Sequence, residues 1–259
     1  MLQYFLLFLA VFSLSACGGG GGSHRAASSG VSVLEKYNDN VALVRIKGTT
    51  LETEYVGVID TEAAEEVLAG SITGLDITYS SYSGEWFEIS RTGVMSSGRS
   101  ITFDTTGVDL NASGSEYVSR SFVNTNQGGG YIVTGSNLGN LPAGAVSYEG
   151  YTEIYDASGG REIGDVTLNV NFNNSKATIT GVTDNLIYSS SDISVSSSSG
   201  QFSSNSAQIG QRFGANIKVP ARIEGSFYGA SGNGMGGIVT GGLNADLTTG
   251  YLGSFAGTR

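Results

Sequence analysis

One cysteine, Cys17, and one histidine, His24, occur in the 259 residues. No intramolecular disulfide is therefore available to hold a fold. A Cys-His or Ser-His-Asp triad would have to draw on these two residues, as would a zinc site of the usual ligands. Both sit in or beside a glycine-rich run near the N-terminus, where nothing holds a side chain rigidly enough for catalysis or coordination, and the chain reads as a non-enzyme. Basic residues are few: 13 Lys and Arg against 23 Asp and Glu give a net charge of −10. That balance excludes an extended basic surface for nucleic acid. Prolines number two and strong helix formers are sparse, while Gly, Ser, Thr and Tyr abound, a composition that points to β structure.

The longest apolar run, Phe5 to Phe12, is too short to span a bilayer as a helix and fits the apolar core of a secretory signal. It leads into Leu14-Ser15-Ala16-Cys17, which matches the bacterial lipobox, where small residues fit the lipoprotein signal peptidase and the cysteine thiol takes a diacylglycerol. Residues 1–16 are thus expected to be a lipoprotein signal peptide, with no Lys or Arg ahead of the apolar run, and Cys17 a lipid anchor to the bilayer. Residues 17–30, beginning with Gly18 to Gly22, read as a Gly/Ser-rich tether with neither side chains to pack nor a restricted backbone. Gly18 is not aspartate, which under the sorting rule for lipoproteins implies the outer membrane.

At the other end, Ala221 to Arg259 reads as three consecutive antiparallel strands. Period two puts Ile223, Gly225 and Phe227 on one face of the first, and Arg222, Glu224, Ser226 and Tyr228 on the other. In the last strand Tyr251, Gly253, Phe255 and Gly257 share a face. Glycine beside an aromatic on one face is what a small closed barrel needs, since the ring fills the space the glycine leaves. The order Gly225-Ser-Phe-Tyr-Gly229, Met235-Gly-Gly237 and Gly253-Ser-Phe-Ala-Gly-Thr-Arg259 resembles the end of the eight-stranded barrel of the transferrin-binding protein B type, which recurs in surface lipoproteins of Gram-negative bacteria, including those exported by the surface lipoprotein assembly modulator. Ala230-Ser231-Gly232 stands where that family usually has Pro-Asn-Ala, and Gly234 where it has an acidic residue.

Further strands are expected at Val41–Lys47, Thr53–Ile59, Ile72–Tyr82, Trp86–Ile89, Ser100–Phe103 and Tyr131–Val133. Asp60 to Gly70, with an Asp/Thr start, an acidic first turn and a terminal glycine, reads as one short helix. Residues 31–139 correspond by position to the handle-like β domain that precedes the barrel in the resembled family. Gln127 to Pro142 is the most loop-like interior stretch, which places the boundary near Asn140. The barrel, residues 140–259, is expected to open with Ala143–Gly150 and continue through Tyr151–Tyr155, Val166–Phe172, Lys176–Thr180, Leu186–Val195 and Gln201–Ile209, the spacing of a meander. Asn173-Asn174 marks a hairpin, and the serine-rich Ser189 to Gly200 a loop that cuts into the end of a strand. The fold class is all-β: a handle-like β domain with one short helix, then a C-terminal eight-stranded antiparallel barrel.

Gly232-Asn-Gly234-Met-Gly-Gly237 matches the dinucleotide fingerprint, yet Ile-Val-Thr-Gly-Gly follows in place of the helix that would hold a pyrophosphate. Glu85 and Glu88 form a carboxylate pair that chance proximity accounts for. The informative cluster is Tyr79 to Phe87, because Tyr and Trp present large amphipathic surfaces. Tyr79, Tyr82 and Trp86 are the candidate ligand-binding residues; core packing is the competing role for alternate members. Trp86 and Phe87 face opposite sides if extended, so one belongs to the core and the other is partly exposed. No cofactor is required, though tyrosine can ligate haem iron.

The resemblance implies a surface-exposed outer-membrane lipoprotein that binds an iron source, either an iron-carrier protein or haem, or another host protein. Transferrin itself is not implied, since the family member that binds it carries two handle-barrel lobes and this chain has room for one. A structural or adhesive surface protein is the alternative. A carrier of a small apolar molecule would need an empty barrel, and the rings facing one side of the closing strands fill it.

Overall fold

In the computed structural model the described residues form sixteen strands. It describes residues 31–37, 41–47, 54–60, 63, 66, 72–111, 115–125, 128–156, 160–213, 218–244 and 249–259. The signal segment, Cys17 and the tether lie outside these residues. So does most of the expected helix, of which Ala63 and Glu66 are helical; Asp60, expected to open it, ends a strand instead.

Eight strands build an open antiparallel sheet: β1 (Val31–Lys36), β2 (Val41–Lys47), β3 (Glu54–Asp60), β4 (Thr73–Ser83), β5 (Trp86–Val94), β6 (Ser100–Asp109), β7 (Tyr117–Thr125) and β8 (Gly128–Gly135). Their spatial order is β1-β2-β3-β8-β7-β6-β5-β4, so the chain leaves β3 in the middle of the sheet and re-enters at its far edge. Eight more close a barrel in sequence order: β9 (Ala145–Asp156), β10 (Gly160–Asn171), β11 (Lys176–Val182), β12 (Leu186–Val195), β13 (Gln201–Gln211), β14 (Lys218–Tyr228), β15 (Gly234–Gly241) and β16 (Tyr251–Thr258). Closure comes from β16 pairing with β9, with Phe255 opposite Thr152. The all-β class, a sheet followed by an eight-stranded antiparallel barrel, is the one expected from the sequence.

Three details differ from expectation. The first barrel strand is one strand of twelve residues rather than two, running through Gly150. A Cβ at Gly150 would lie 2.1 Å from the Ala256 carbonyl oxygen, so that glycine marks the close approach of β16 rather than a break. The serine-rich stretch stays in β12 as far as Val195, with Ser190 and Ser204 hydroxyls 2.9 Å apart in a buried pair. Finally, β1 and β7 are strands that the alternation did not reveal.

Among the described residues, apolar side chains gather in three large clusters and one small one. The barrel interior holds Tyr148, Tyr188, Phe202, Phe227 and Phe255, with Phe172 packed against them. Ring centroids in this group lie 5.1 to 6.2 Å apart, the spacing of tilted and offset aromatic pairs. Residues 136–144, which join sheet to barrel, bind the β14–β15 turn: Gly139 N–H donates to the Gly229 carbonyl at 3.2 Å and Asn140 N–H to that of Ala230 at 2.9 Å. Leu138 and Leu141 of that segment pack on the interior cluster. The second cluster lies between barrel wall and sheet, where Val108, Val118, Tyr131 and Val133 meet Tyr228, Ile238, Leu252 and Ala256. The third covers the sheet's opposite face, with Ala63 of the crossover packed among Ala42, Val44, Ile101, Phe103 and Val123.

Candidate functional site

The two strands that carry the aromatic cluster are the last of the open sheet, and β4 is its edge. In β4 nearly every residue is exposed, on both faces. Tyr82 pairs with Phe87, so the two share a face, and their rings lie 6.4 Å apart. Phe87 turns into a small buried group with Ile89 and Tyr117. Tyr79 pairs with Ser90, which puts it on the other face, that of Trp86. Trp86 is half-buried and meets Tyr151 of β9 edge-on, centroids 4.5 Å apart. The three candidate residues therefore do not converge on one pocket. Trp86 braces the sheet against the barrel, while Tyr79 and Tyr82 stand in solvent on opposite faces of one strand, 57% and 62% exposed.

Elsewhere, a pair of charge clusters joins β2, β7 and β8 of the sheet to the barrel. Glu153 of β9 is fully buried and accepts from Arg120 of β7, from the Tyr131 hydroxyl of β8 at 2.5 Å, and from Arg161 of β10 at 2.6 Å. Glu224 of β14 accepts from Arg45 of β2 at 3.1 Å and from Arg222 of its own strand at 2.8 Å, with Arg45 also donating to Ser226 at 3.0 Å. Each barrel carboxylate thus takes one arginine from the sheet and one from the barrel. Burial alone would raise the Glu153 pKa, but the Arg120 guanidinium, the Tyr131 hydroxyl and Arg161 outweigh it and hold the carboxyl below its ordinary range. Burial, reinforced by the Glu153 charge, pushes the Tyr131 hydroxyl up, so it stays a hydrogen-bond donor at any ordinary pH. Sequence reading put Arg222, Glu224, Ser226 and Tyr228 on one face of β14 correctly, but nothing in that pattern says the face is covered by a second sheet.

Two other places have less to offer a ligand. The fingerprint-like Gly232 to Gly237 turns directly into β15, whose residues are buried, and among the described residues no helix follows it. A shallow groove of about 470 Å³, lined by Val146, Ser147, Asn169, Val170, Lys176 and Ala177 among others, mixes aliphatic and polar groups and has no aromatic surface.

An open sheet docked on a closed barrel whose interior holds a cluster of rings, with exposed tyrosines on the sheet's edge, defines a two-part β scaffold that presents side chains outward. No family model matches the sequence, and no curated protein does. Solved structures of transferrin-binding protein B are similar to it, the family that the C-terminal motif resembles. A double mutant from Haemophilus parasuis, described as a vaccine antigen, is 11% identical with a TM-score of 0.49, covering 93% of this chain and 56% of that one. The isotype 1 protein of serogroup B Neisseria meningitidis is 12% identical with a TM-score of 0.45, covering 85% and 59%. Intact Ap-TbpB, with N and C lobes, is 11% identical with a TM-score of 0.46, covering 85% and 55%. This chain spans a little over half the length of each.

Proposed function

We propose that the chain is a lipid-anchored outer-membrane protein that faces the exterior and captures an extracellular protein, an iron carrier or another host protein, on the edge of its open sheet. The observation that carries this reading is the pair Tyr79 and Tyr82, left in solvent on a strand whose eleven residues include one charge, Asp76. Tyrosine combines a large apolar area with little conformational entropy to lose, which makes it a frequent anchor of protein contacts. An edge strand exposed on both faces suits a polypeptide better than an enclosed haem, and the rings clustered in the barrel interior argue against a small apolar cargo there. Iron enters through the resemblance of the C-terminal motif, and the membrane anchor through the lipobox at Cys17.

The test is capture of iron-carrying proteins and haem by the chain lacking residues 1–22. A protein partner is expected, with capture lost in the Tyr79→Ser/Tyr82→Ser variant and no Soret shift on haem titration. A Soret shift abolished by changing one tyrosine would replace the protein ligand by haem. If nothing is captured while cells displaying the chain adhere better than cells without it, the adhesive alternative takes over. For the anchor, palmitate labelling is expected to mark the wild-type chain and leave Cys17→Ala unlabelled. Equal labelling would remove the lipoprotein reading.

A further inference from the structure

We propose that the outer edge of β4 receives a basic, extended segment of the captured protein as an added antiparallel or parallel strand. The proposal rests on the capture reading and specifies what kind of partner the edge takes and how.

Natural edge strands are usually short, or carry Lys, Pro or bulges that keep other chains from pairing with them. Strand β4 has eleven residues, Thr73–Ser83, without lysine or proline, and at strand rise it extends roughly 36 Å. Its first half is guarded, since the register with β5 shifts between Thr73 and Asp76 and again between Ile77 and Tyr79. Its second half is not. From Tyr79 to Ser83 the pairing with Ser90 to Trp86 runs without interruption, so the backbone is regular there, and among the described residues no strand pairs with its outer side. Main-chain groups at such an edge supply affinity for an extended peptide, and the flanking side chains supply specificity.

The flanking side chains are Tyr79 and Tyr82. Because they project to opposite faces, a strand laid along the edge has a ring beside it above and below the sheet, and its alternate side chains each meet one. The neighbouring charge selects the sign of the partner. Between Ile72 and Leu110 five acidic residues stand against two arginines, and Asp76, Glu85 and Glu88 lie on β4, on β5 or in the turn between them. A basic segment is drawn to this edge and held in register, whereas a second copy of the chain would bring these carboxylates against their own counterparts. The net charge of −10 on each copy opposes that pairing further.

The probe is a short synthetic peptide alternating lysine with valine, offered to the full chain in detergent and followed by calorimetry and amide hydrogen exchange. The peptide is expected to bind and to slow exchange of backbone amides within Tyr79–Ser83. Methylating its alternate backbone nitrogens removes donors while keeping side chains and charge, and should weaken binding at least about tenfold, as should glutamate in place of lysine. The Tyr79→Ser/Tyr82→Ser variant should lose a similar factor with its circular dichroism unchanged, both residues being on the surface. Equal binding of the methylated peptide, protection confined to other amides, or no binding overturns the proposal. So does a dimer in sedimentation that protects these same amides. A natural partner captured equally well by the tyrosine variant overturns the edge while leaving capture standing; absence of any captured protein overturns capture itself, whatever the peptide does.

Discussion

Glu153→Ala is expected to lower the unfolding free energy by about 3–5 kcal/mol, because removing one member of a buried ion pair strands the other. The carboxylate it deletes is wholly buried between sheet and barrel and is shared by Arg120, Arg161 and the Tyr131 hydroxyl. The partners are not equally placed to recover. The Arg161 side chain is 48% exposed and can turn into water, whereas that of Arg120 is 4% exposed and cannot. The cost therefore falls on Arg120, and on Tyr131, whose hydroxyl loses its acceptor. By the same logic Arg161→Ala should cost no more than about 1 kcal/mol, the usual worth of a half-exposed charge contact. Urea unfolding of the three chains checks this, read as a shift in midpoint at constant slope. Equal shifts for Glu153→Ala and Arg161→Ala would mean that the network does not lock the two parts together.

The same group sets a pH dependence. Burial opposes ionisation of Glu153, yet Arg120, Tyr131 and Arg161 overcome it, so the folded-state pKa lies below the unfolded one. A carboxyl depressed in the fold contributes its stability above the unfolded value, near 4.3, and loses it as pH falls from there through the folded value. The wild-type chain should thus lose stability on acidification below about pH 4, and Glu153→Ala should show a shallower acid limb. It should not be flat. Glu162 is also held low, since bonds from Thr183 and Asn185 at the β11–β12 turn outweigh its partial burial, and it remains in the variant.

Much of the fold was legible because most strands have one dry face. Alternation located β2 to its residue bounds and found the three closing strands, whose inward rings Phe227, Tyr251 and Phe255 belong to the interior cluster. Where both faces are dry, the pattern fails. In β7, Val118 and Phe122 turn to the barrel and Val123 to the opposite cluster, with buried Arg120 between them, so apolar and polar residues mix on both faces. The separation of Trp86 from Phe87 was readable from adjacency alone, and Phe87 is the buried one. What could not be read is that a second sheet covers the outside of β14 to β16, because Arg222, Glu224 and Ser226 look like a solvated face. Their partners, Arg45 above all, lie about 180 residues away in sequence. The candidate cluster was likewise legible as a set of residues and not as a shape, since the bulge before Tyr79, which decides its face, leaves no sequence signature.

Phe227→Ala is the other change expected to cost about 3–5 kcal/mol, this time through a cavity in the barrel. Its ring is 2% exposed and sits at the centre of the interior, with the rings of Phe202, Phe172 and Tyr148 at 5.1, 5.2 and 5.3 Å. Phe202 in turn lies over Gly225, where an added Cβ would come within 2.3 Å of its Cζ atom. Removing the Phe227 ring thus takes the support from a neighbour whose other side rests on bare backbone, and a closed barrel has little freedom to collapse around the void. Tyr82→Ala is the control, being 62% exposed on the sheet edge, and it should move stability by no more than about 0.5 kcal/mol. The contrast also bears on function. If the two substitutions cost the same, the interior is not packed as a core, and a carrier of small apolar molecules again becomes a reading of the barrel. If Phe227→Ala destabilises as expected while Tyr82→Ala leaves the fold intact and abolishes capture, the division of labour is direct: the barrel supplies rigidity and the open sheet meets the partner.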